Sequence, residues 1–119
     1  MAGEQSLKLP GSSEVQISRS KVIGYLLATG HPVGGAKARY LESRGFTLEA
    51  PEVLESALRR LAMDGTVITE EATRWGTKCF VVGTIDAPDG NPMTLDTVWI
   101  VDESGVATFV TAYPAWREK

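Results

Sequence analysis

The chain has 119 residues, of which 43% are hydrophobic and 23% are charged. This length fits one domain, and the composition is typical of soluble globular proteins, which excludes a disordered tail protein. No apolar run approaches the roughly 18 residues of a membrane-spanning helix, and the first residues lack the apolar stretch of a secretory signal. Cys79 is the only cysteine, so no intramolecular disulfide forms. We therefore expect a cytoplasmic protein with no membrane partner.

The net charge of −3 is unevenly distributed along the chain. Residues 15–48 contain five basic residues and one acidic residue, whereas the rest of the chain is acidic. A basic region on an acidic body is compatible with an anionic ligand bound at one site. Chance alone also gives such an asymmetry in a small chain, so both interpretations stay open at this point.

The first 14 residues are polar and contain Pro10, Gly11, Ser12 and Ser13 in succession. This composition predicts a flexible N-terminal arm over residues 1–14. No repeat and no second linker follow, so residues 15–119 are predicted to form a single domain.

Three helices are predicted in the first half of the chain, at about Ser20–Thr29, Gly35–Arg44 and Pro51–Met63, because apolar residues recur there at helical spacing. Gly45 follows the second helix where a left-handed residue commonly ends a helix, and Phe46 is placed for the accompanying hydrophobic contact. The predicted buried stripe of the third helix consists of Val53, Leu54, Ala57, Leu58 and Leu61.

The second half changes to the composition of strands. Segments rich in Val, Ile, Thr and aromatic residues are separated by turn residues. The predicted strands are Thr66–Thr73, Thr77–Asp86, Thr94–Asp102 and Val106–Tyr113. Their connections are too short for parallel crossovers, so the strands should run antiparallel. The predicted fold class is α+β, with N-terminal helices packed on one face of a four-stranded antiparallel sheet.

The loop before the second helix contains the residues best suited to chemistry. Gly34 and Gly35 leave the backbone N–H groups at the start of this helix accessible, and Lys37 lies in its first turn. Bare amides and a cation at a helix N-terminus form a seat for a phosphate or an oxyanion. His31, the only histidine, lies just before them and suits general acid–base catalysis. The alternative is that His31-Pro32 only ends the preceding helix and that the histidine has a structural role.

Helical phase separates the basic residues of the second helix. Steps of about 100° per residue place Lys37 and Arg44 in the sector of Leu41, which should face the sheet, and Arg39 on the opposite side. A basic side chain beside a buried stripe either lays its aliphatic part on the apolar surface and extends its charged group into water, or lines a cleft. We therefore predict that Lys37 and Arg44, but not Arg39, help to bind a phosphate.

The last predicted strand adds hydroxyl groups. Strand alternation places Thr111 and Tyr113 on one face together with Ala107 and Phe109. A threonine hydroxyl can bind a phosphate oxygen, and a tyrosine can do so or stack on a base. Both are also good strand formers, so ordinary packing is the alternative. Trp99, on a face with Thr97, and Cys79 are predicted core residues.

Other chemistries lack support in the sequence. There is no Cys/His cluster for zinc, no phosphate-binding Gly-rich loop and no nucleophile elbow. We therefore expect no metal and no cofactor, and a mechanism that depends on histidine and lysine.

Several segments resemble a family of uncharacterised small bacterial domains that carry a His-Pro-x-Gly-x-x-Lys-Ala motif. They are residues 31–40 (HPVGGAKARY), 45–48 (GFTL), 76–78 (GTK), 97–100 (TVWI) and 110–114 (VTAYP). The resemblance extends over about residues 17–114. More remotely, the order of helices and strands resembles the barnase–EndoU–colicin–RelE-like nuclease fold of bacterial toxins.

The remote resemblance implies metal-independent cleavage of RNA by attack of the ribose 2′-OH. Carried onto this chain, it implies His31 as base or acid. Lys37 and the amides after Gly34 would hold the phosphate, with Thr111 and Tyr113 across the cleft. The implied protein is a ribonuclease, the toxin of a bacterial toxin–antitoxin pair, with RNA as substrate and an antitoxin as protein partner. The alternative is a non-catalytic protein-binding module resembling an antitoxin or immunity protein, which the acidic body of the chain favours.

Overall fold

The helices lie in the first half of the chain, and four of the five strands lie in the second half. The structure is a computed structural model that describes residues 15–22 and 35–114, with side chains for residues 15–22 and 38–113. Its elements are β1 (Val15–Gln16), α1 (Arg19–Lys21), α2 (Gly35–Ser43), α3 (Pro51–Asp64), β2 (Thr66–Thr73), β3 (Gly76–Asp86), β4 (Pro92–Val101) and β5 (Ala107–Pro114). The predicted arm, residues 1–14, and most of the predicted first helix lie outside the described residues.

The strands form one five-stranded sheet in the order β1-β5-β4-β3-β2. Strands β2 to β5 pair antiparallel in sequence order, as predicted. β1 adds a parallel edge strand, in which Val15 is the partner of Ala107. The prediction of a four-stranded, purely antiparallel sheet is therefore wrong: the described sheet is mixed and has five strands. A strand of two residues is too short to show alternation, so the sequence pattern carried no sign of β1.

The end of α2 follows the prediction closely. The N–H of Phe46 donates to the Leu41 carbonyl at 3.0 Å, and the N–H of Gly45 donates to the Glu42 carbonyl at 3.0 Å. These two bonds define a Schellman motif, which requires a left-handed residue, and Gly45 has φ +103°. Phe46 is buried, so the turn both stops the helix and adds an aromatic ring to the core.

Helix α3 covers β3 with a narrow apolar stripe. Leu54, Leu58 and Leu61 are buried, whereas Val53 is 42% exposed. The prediction that Val53 belongs to the stripe is wrong because it lies about 100° around the axis from Leu54, beyond the edge of the contact. Gly83 allows the close approach of α3, since a Cβ atom there would lie 2.9 Å from Leu61 Cγ.

The centre of the core is organised around Trp99, which is fully buried. Its Nε1–H donates to Thr97 Oγ1 at 2.8 Å, and Thr97 Oγ1 donates to the Val81 carbonyl at 2.8 Å. The ring of Phe109 packs edge-on, with the ring centroids 5.3 Å apart. The predicted core positions of Trp99 and Cys79 are confirmed.

The segment that carries β1 and α1 is tied to α3. Arg59 Nη1 donates to the Val15 carbonyl at 2.7 Å. Glu55 pairs with Arg59 at 3.2 Å and with Arg19 at 3.5 Å. These contacts, together with the pairing of β1 and β5, hold α1 beside the last strand.

Candidate functional site

The two faces of the sheet differ in what covers them. Buried side chains of β3, β4 and β5 alternate with less buried ones, and α2 and α3 pack against the buried set. The register places the other set on the opposite face, which we call the open face because it is turned away from α2 and α3. Its members include Lys78, Phe80, Asp96, Thr111 and Tyr113.

A pocket of about 440 Å³ lies where α1 meets the open face at β5. We call it the basic pocket. It is lined by Ser18, Ser20, Lys21, Val110, Thr111 and Tyr113. The pocket therefore combines one ammonium group, three aliphatic hydroxyls and one phenol, which are the groups that bind phosphate oxygens in proteins.

Lys21 is held over the pocket by a bond to the last strand. Its Nζ donates to the Val110 carbonyl at 2.8 Å. An ammonium group has three N–H donors, so this bond fixes its position while leaving donors for a ligand. At the start of α1, Ser18 Oγ and Ser20 Oγ lie within hydrogen-bond distance at 2.7 Å. Both hydroxyls line the pocket together with Lys21.

A β-bulge turns Thr111 and Tyr113 towards this pocket. Trp99 pairs with Phe109 while Val98 pairs with Thr111, so Val110 is an extra residue on β5. The extra residue reverses the alternation. Ala107 and Phe109 therefore face the helices, together with Ala112. The prediction that Thr111 and Tyr113 share a face with Ala107 and Phe109 is wrong for this reason.

The residues of the predicted histidine loop are only partly described. His31 and Gly34 lie outside the described residues. Gly35 is the first residue of α2, and Lys37 lies in its first turn as predicted, although its side chain is not described. Leu41 is buried and Arg39 is exposed, as helical phase predicts. A role for His31, Gly34, Gly35 and Lys37 in catalysis or phosphate binding stays a prediction.

Arg44 lies apart from the basic pocket. Its Nε donates to Asp89 Oδ2 at 2.6 Å, and its Nη2 donates to the carbonyls of Asn91 and Pro92 at 3.1 and 3.2 Å. The Asp89 N–H in turn donates to the Arg44 carbonyl. The carboxylate of Asp89 raises the pKa of Arg44, and the guanidinium lowers the pKa of Asp89. These contacts make Arg44 a clamp between the end of α2 and the β3–β4 loop.

Sequence reasoning missed four lining residues of the basic pocket, which are Ser18, Ser20, Lys21 and Val110. Serine is a residue type that commonly caps a helix, so Ser18 and Ser20 gave no sign of a binding role, and Lys21 contributed only to the charge excess of residues 15–48. That excess was the one available signal. It could not single out Lys21, because the bond from Lys21 to the Val110 carbonyl joins residues 89 positions apart in the chain.

Other chemistries find little support in the described part of the chain. No group of three or more His, Cys, Asp or Glu side chains is arranged to hold a metal ion among residues 15–22 and 35–114. Burial raises the pKa of the Cys79 thiol to about 11, with a smaller contribution from the charge of Glu70. A thiol with this pKa is a poor nucleophile at neutral pH. No helix in the described segments has the length and apolar character needed to cross a bilayer.

The fold and the pocket together define a small α+β domain that presents a basic, hydroxyl-lined site on the open face of its sheet. The chain belongs to a family of domains of unknown function, DUF6883, whose sequence model matches residues 8–116. This membership confirms the predicted resemblance to an uncharacterised domain family. No curated protein matches the chain.

The fold is shared with a chain of known structure. A chain of a contact-dependent growth inhibition toxin–immunity protein complex from Klebsiella pneumoniae 342 superposes with a TM-score of 0.68. The two chains are 15% identical, and the match covers 82% of this chain and 97% of the other. At this identity the similarity establishes a shared fold and leaves function to be argued from the site.

Proposed function

We propose that this protein is a metal-independent ribonuclease and acts as the toxin of a bacterial toxin–antitoxin or toxin–immunity pair. The observation that carries the proposal is the basic pocket, in which Lys21 lines the same cavity as Thr111 and Tyr113 beside the open face. The fold shared with a chain of a toxin–immunity complex supports the same class of function.

The proposed reaction is an internal phosphoryl transfer. The ribose 2′-oxygen attacks the neighbouring phosphorus as a base removes its proton, which forms a 2′,3′-cyclic phosphate. The bond from phosphorus to the 5′-oxygen breaks, and an acid protonates that oxygen. Negative charge accumulates on the non-bridging oxygens during this step, so positioned cations and hydroxyl donors accelerate it.

The residues divide these roles by their chemistry. The Lys21 ammonium and the Thr111 hydroxyl stabilise the non-bridging oxygens, and the backbone N–H groups after Gly34, together with Lys37, are proposed to add to this seat. His31 is the proposed base, since no other side chain has an ordinary pKa near neutrality. Tyr113 is the proposed acid for the leaving oxygen, and the recognition of the nucleotide also involves its ring.

Cleavage of a labelled RNA by purified variants tests this proposal. His31→Ala should lower the rate by about 10²–10⁴-fold, the usual contribution of a general base. Lys21→Ala should lower it by about 10²–10³-fold, the usual contribution of one charge-stabilising donor. Arg60→Ala is the matched control, because it removes a positive charge from the exposed surface of α3. A folded His31→Ala protein with the wild-type rate would contradict the proposal.

Lys37 and Arg39 form a second matched pair on α2. Lys37→Ala should lower the cleavage rate by about 10-fold or more, whereas Arg39→Ala should have a small effect, because the exposed Arg39 lies about 200° around the helix from Lys37. Equal losses in the two variants would show that Lys37 contributes only to general charge.

The second candidate function is a non-catalytic module that binds a protein partner, as an immunity protein or an antitoxin does. The net charge of −3 favours it, because an acidic surface suits a basic protein partner. Expression in bacterial cells distinguishes the two candidates. Growth arrest that His31→Ala relieves supports the nuclease, whereas protection of cells from a co-expressed toxin supports the module.

A further inference from the structure

A second cavity, of about 270 Å³, adjoins the basic pocket on the open face. We call it the base cleft. Its walls include Ile68, Phe80, Val82, Val98, Asp96 and Tyr113. Tyr113 lines both cavities, so a ligand group in one lies next to a ligand group in the other.

The walls of the base cleft suit a flat, largely apolar ring. Phe80, Val82 and Val98 are neighbours on β3 and β4, and Val98 is buried at 4% exposure, which gives the cleft a solid floor. Ile68 remains 62% exposed and Tyr113 45% exposed at its rim. A volume just under the roughly 300–1,000 Å³ of drug-sized sites suits one planar ring rather than a larger ligand.

One carboxylate interrupts this apolar lining. Asp96 is the register partner of Tyr113 across β4 and β5, and it lines the base cleft among the apolar side chains. An ionised carboxylate only accepts hydrogen bonds, and its two oxygens offer about four acceptor sites. It can therefore keep a protein partner and still accept two bonds from a ligand that presents adjacent N–H donors.

We infer that the base cleft is a nucleobase subsite and that Asp96 makes it select guanine. This inference rests on the proposed function, because the base would belong to the RNA whose phosphate occupies the basic pocket. Guanine presents its ring N1–H and its amino group side by side, so it can donate two bonds to one carboxylate. Uracil offers a single N–H between two carbonyl oxygens, which the carboxylate repels. The Tyr113 ring, at the boundary of the two cavities, supplies a stacking surface for the base.

The test uses DNA oligonucleotides that contain a single ribonucleotide, so that only one phosphodiester can be cleaved. The base on either side of that bond is varied in turn. Wild-type protein should cleave the guanine substrate at least about tenfold faster than the uracil substrate at one of the two positions. Asp96→Asn should reduce this ratio to below about threefold, because an amide nitrogen cannot accept a hydrogen bond. Asp86→Asn, the same substitution on the open face but outside the cleft, should leave the ratio unchanged.

A second measurement separates failure of the subsite from failure of the nuclease. Isothermal titration compares guanosine 3′-monophosphate with uridine 3′-monophosphate on wild-type and Asp96→Asn proteins. If wild-type protein cleaves no RNA but binds the guanosine nucleotide about tenfold more tightly, with Asp96→Asn removing that difference, the proposed catalysis fails and the subsite stands. Equal binding or equal cleavage of the two bases by wild-type protein overturns the inference. So does a guanine preference that survives Asp96→Asn in a protein with unchanged thermal stability.

Discussion

The covered face and the open face of the sheet contain different kinds of side chain. On the covered face, Trp99 donates to Thr97 and Thr97 donates to the Val81 carbonyl, so these polar atoms are bonded within an otherwise apolar core. On the open face, Lys78, Asp96 and Thr111 lie among Phe80 and Val98. Burial demands the first pattern, because an unpaired polar group there would cost stability. Partial exposure permits the second pattern, and the two cavities on the open face are the reason that we propose ligand binding there.

Two phenylalanines on opposite faces give the largest expected contrast in stability. Phe109→Ala removes a buried ring that packs on Trp99 and should lower the free energy of unfolding by about 3–5 kcal/mol. Phe80→Ala removes a half-buried ring on the open face and should cost about 1 kcal/mol. Urea denaturation followed by circular dichroism measures both. Equal losses would show that the open face is also part of the core.

Two threonines sharpen the same contrast for polar groups. Thr97→Val leaves the indole N–H of Trp99 without its acceptor and should cost about 1–3 kcal/mol. Thr97→Ser keeps the hydroxyl and should recover the part of this loss that belongs to the hydrogen bonds. Thr108→Val, at an exposed position of β5, should stay within about 0.5 kcal/mol of wild type. A neutral Thr97→Val variant would contradict the role given to the Thr97–Trp99 pair.

The Arg44 clamp gives a smaller effect that depends on pH. The folded state lowers the pKa of Asp89, chiefly through its bond to Arg44. The stabilisation is therefore complete above the ordinary aspartate pKa and is lost as the pH falls through the lowered value. Arg44→Met should reduce stability at pH 7 and flatten this loss below about pH 4, the ordinary range of a carboxyl. Thermal melts at pH 7 and pH 3 measure both effects. Arg44→Lys is the control variant, because it keeps the positive charge but loses the planar guanidinium that donates to several acceptors at once. An unchanged acid profile in Arg44→Met would contradict the clamp.

The burial of Cys79 on the covered face should make stability depend on pH in the alkaline range. The pKa of Cys79 is about 11 in the folded protein, and the ordinary value of a cysteine is 9.0. Between these two pH values the folded protein keeps the thiol protonated, whereas the unfolded chain loses the proton. Stability should therefore decline between about pH 9 and pH 11. Cys79→Ala should decline less over that window. Rapid reaction of native Cys79 with a thiol reagent at pH 8 would contradict its burial.

Local patterns in the sequence predicted the elements well but not their long-range contacts. Gly45 and Phe46 marked the end of α2 because a Schellman turn depends on residues close together in the chain. β1 and the Val110 bulge escaped prediction because each depends on a pairing between distant strands. Thr111 and Tyr113 were identified as candidates from their chemistry, yet the face they occupy was assigned wrongly because one extra residue reverses the alternation.

Lys21 shows the same limit for the candidate site. Its residue type and its basic neighbourhood were visible in the sequence, but its bond to the Val110 carbonyl exists only because β1 pairs with β5. The residues that sequence reasoning ranked highest, His31 and Lys37, depend on a loop motif whose chemistry is local. The proposed nuclease requires both Lys21, which the structure places in the basic pocket, and the pair of His31 and Lys37, which sequence reasoning proposed.

Nuclear magnetic resonance mapping tests most directly whether the open face binds RNA. A dinucleotide with a 2′-deoxy group at the scissile position binds without being cleaved, and its titration into isotopically labelled protein reports the contact surface residue by residue. The account predicts amide shifts concentrated at Lys21, Val110, Thr111 and Tyr113, extending to Phe80 and Asp96, with little change on the exposed surface of α3. Shifts confined to α3, or no shifts at millimolar dinucleotide, would contradict it.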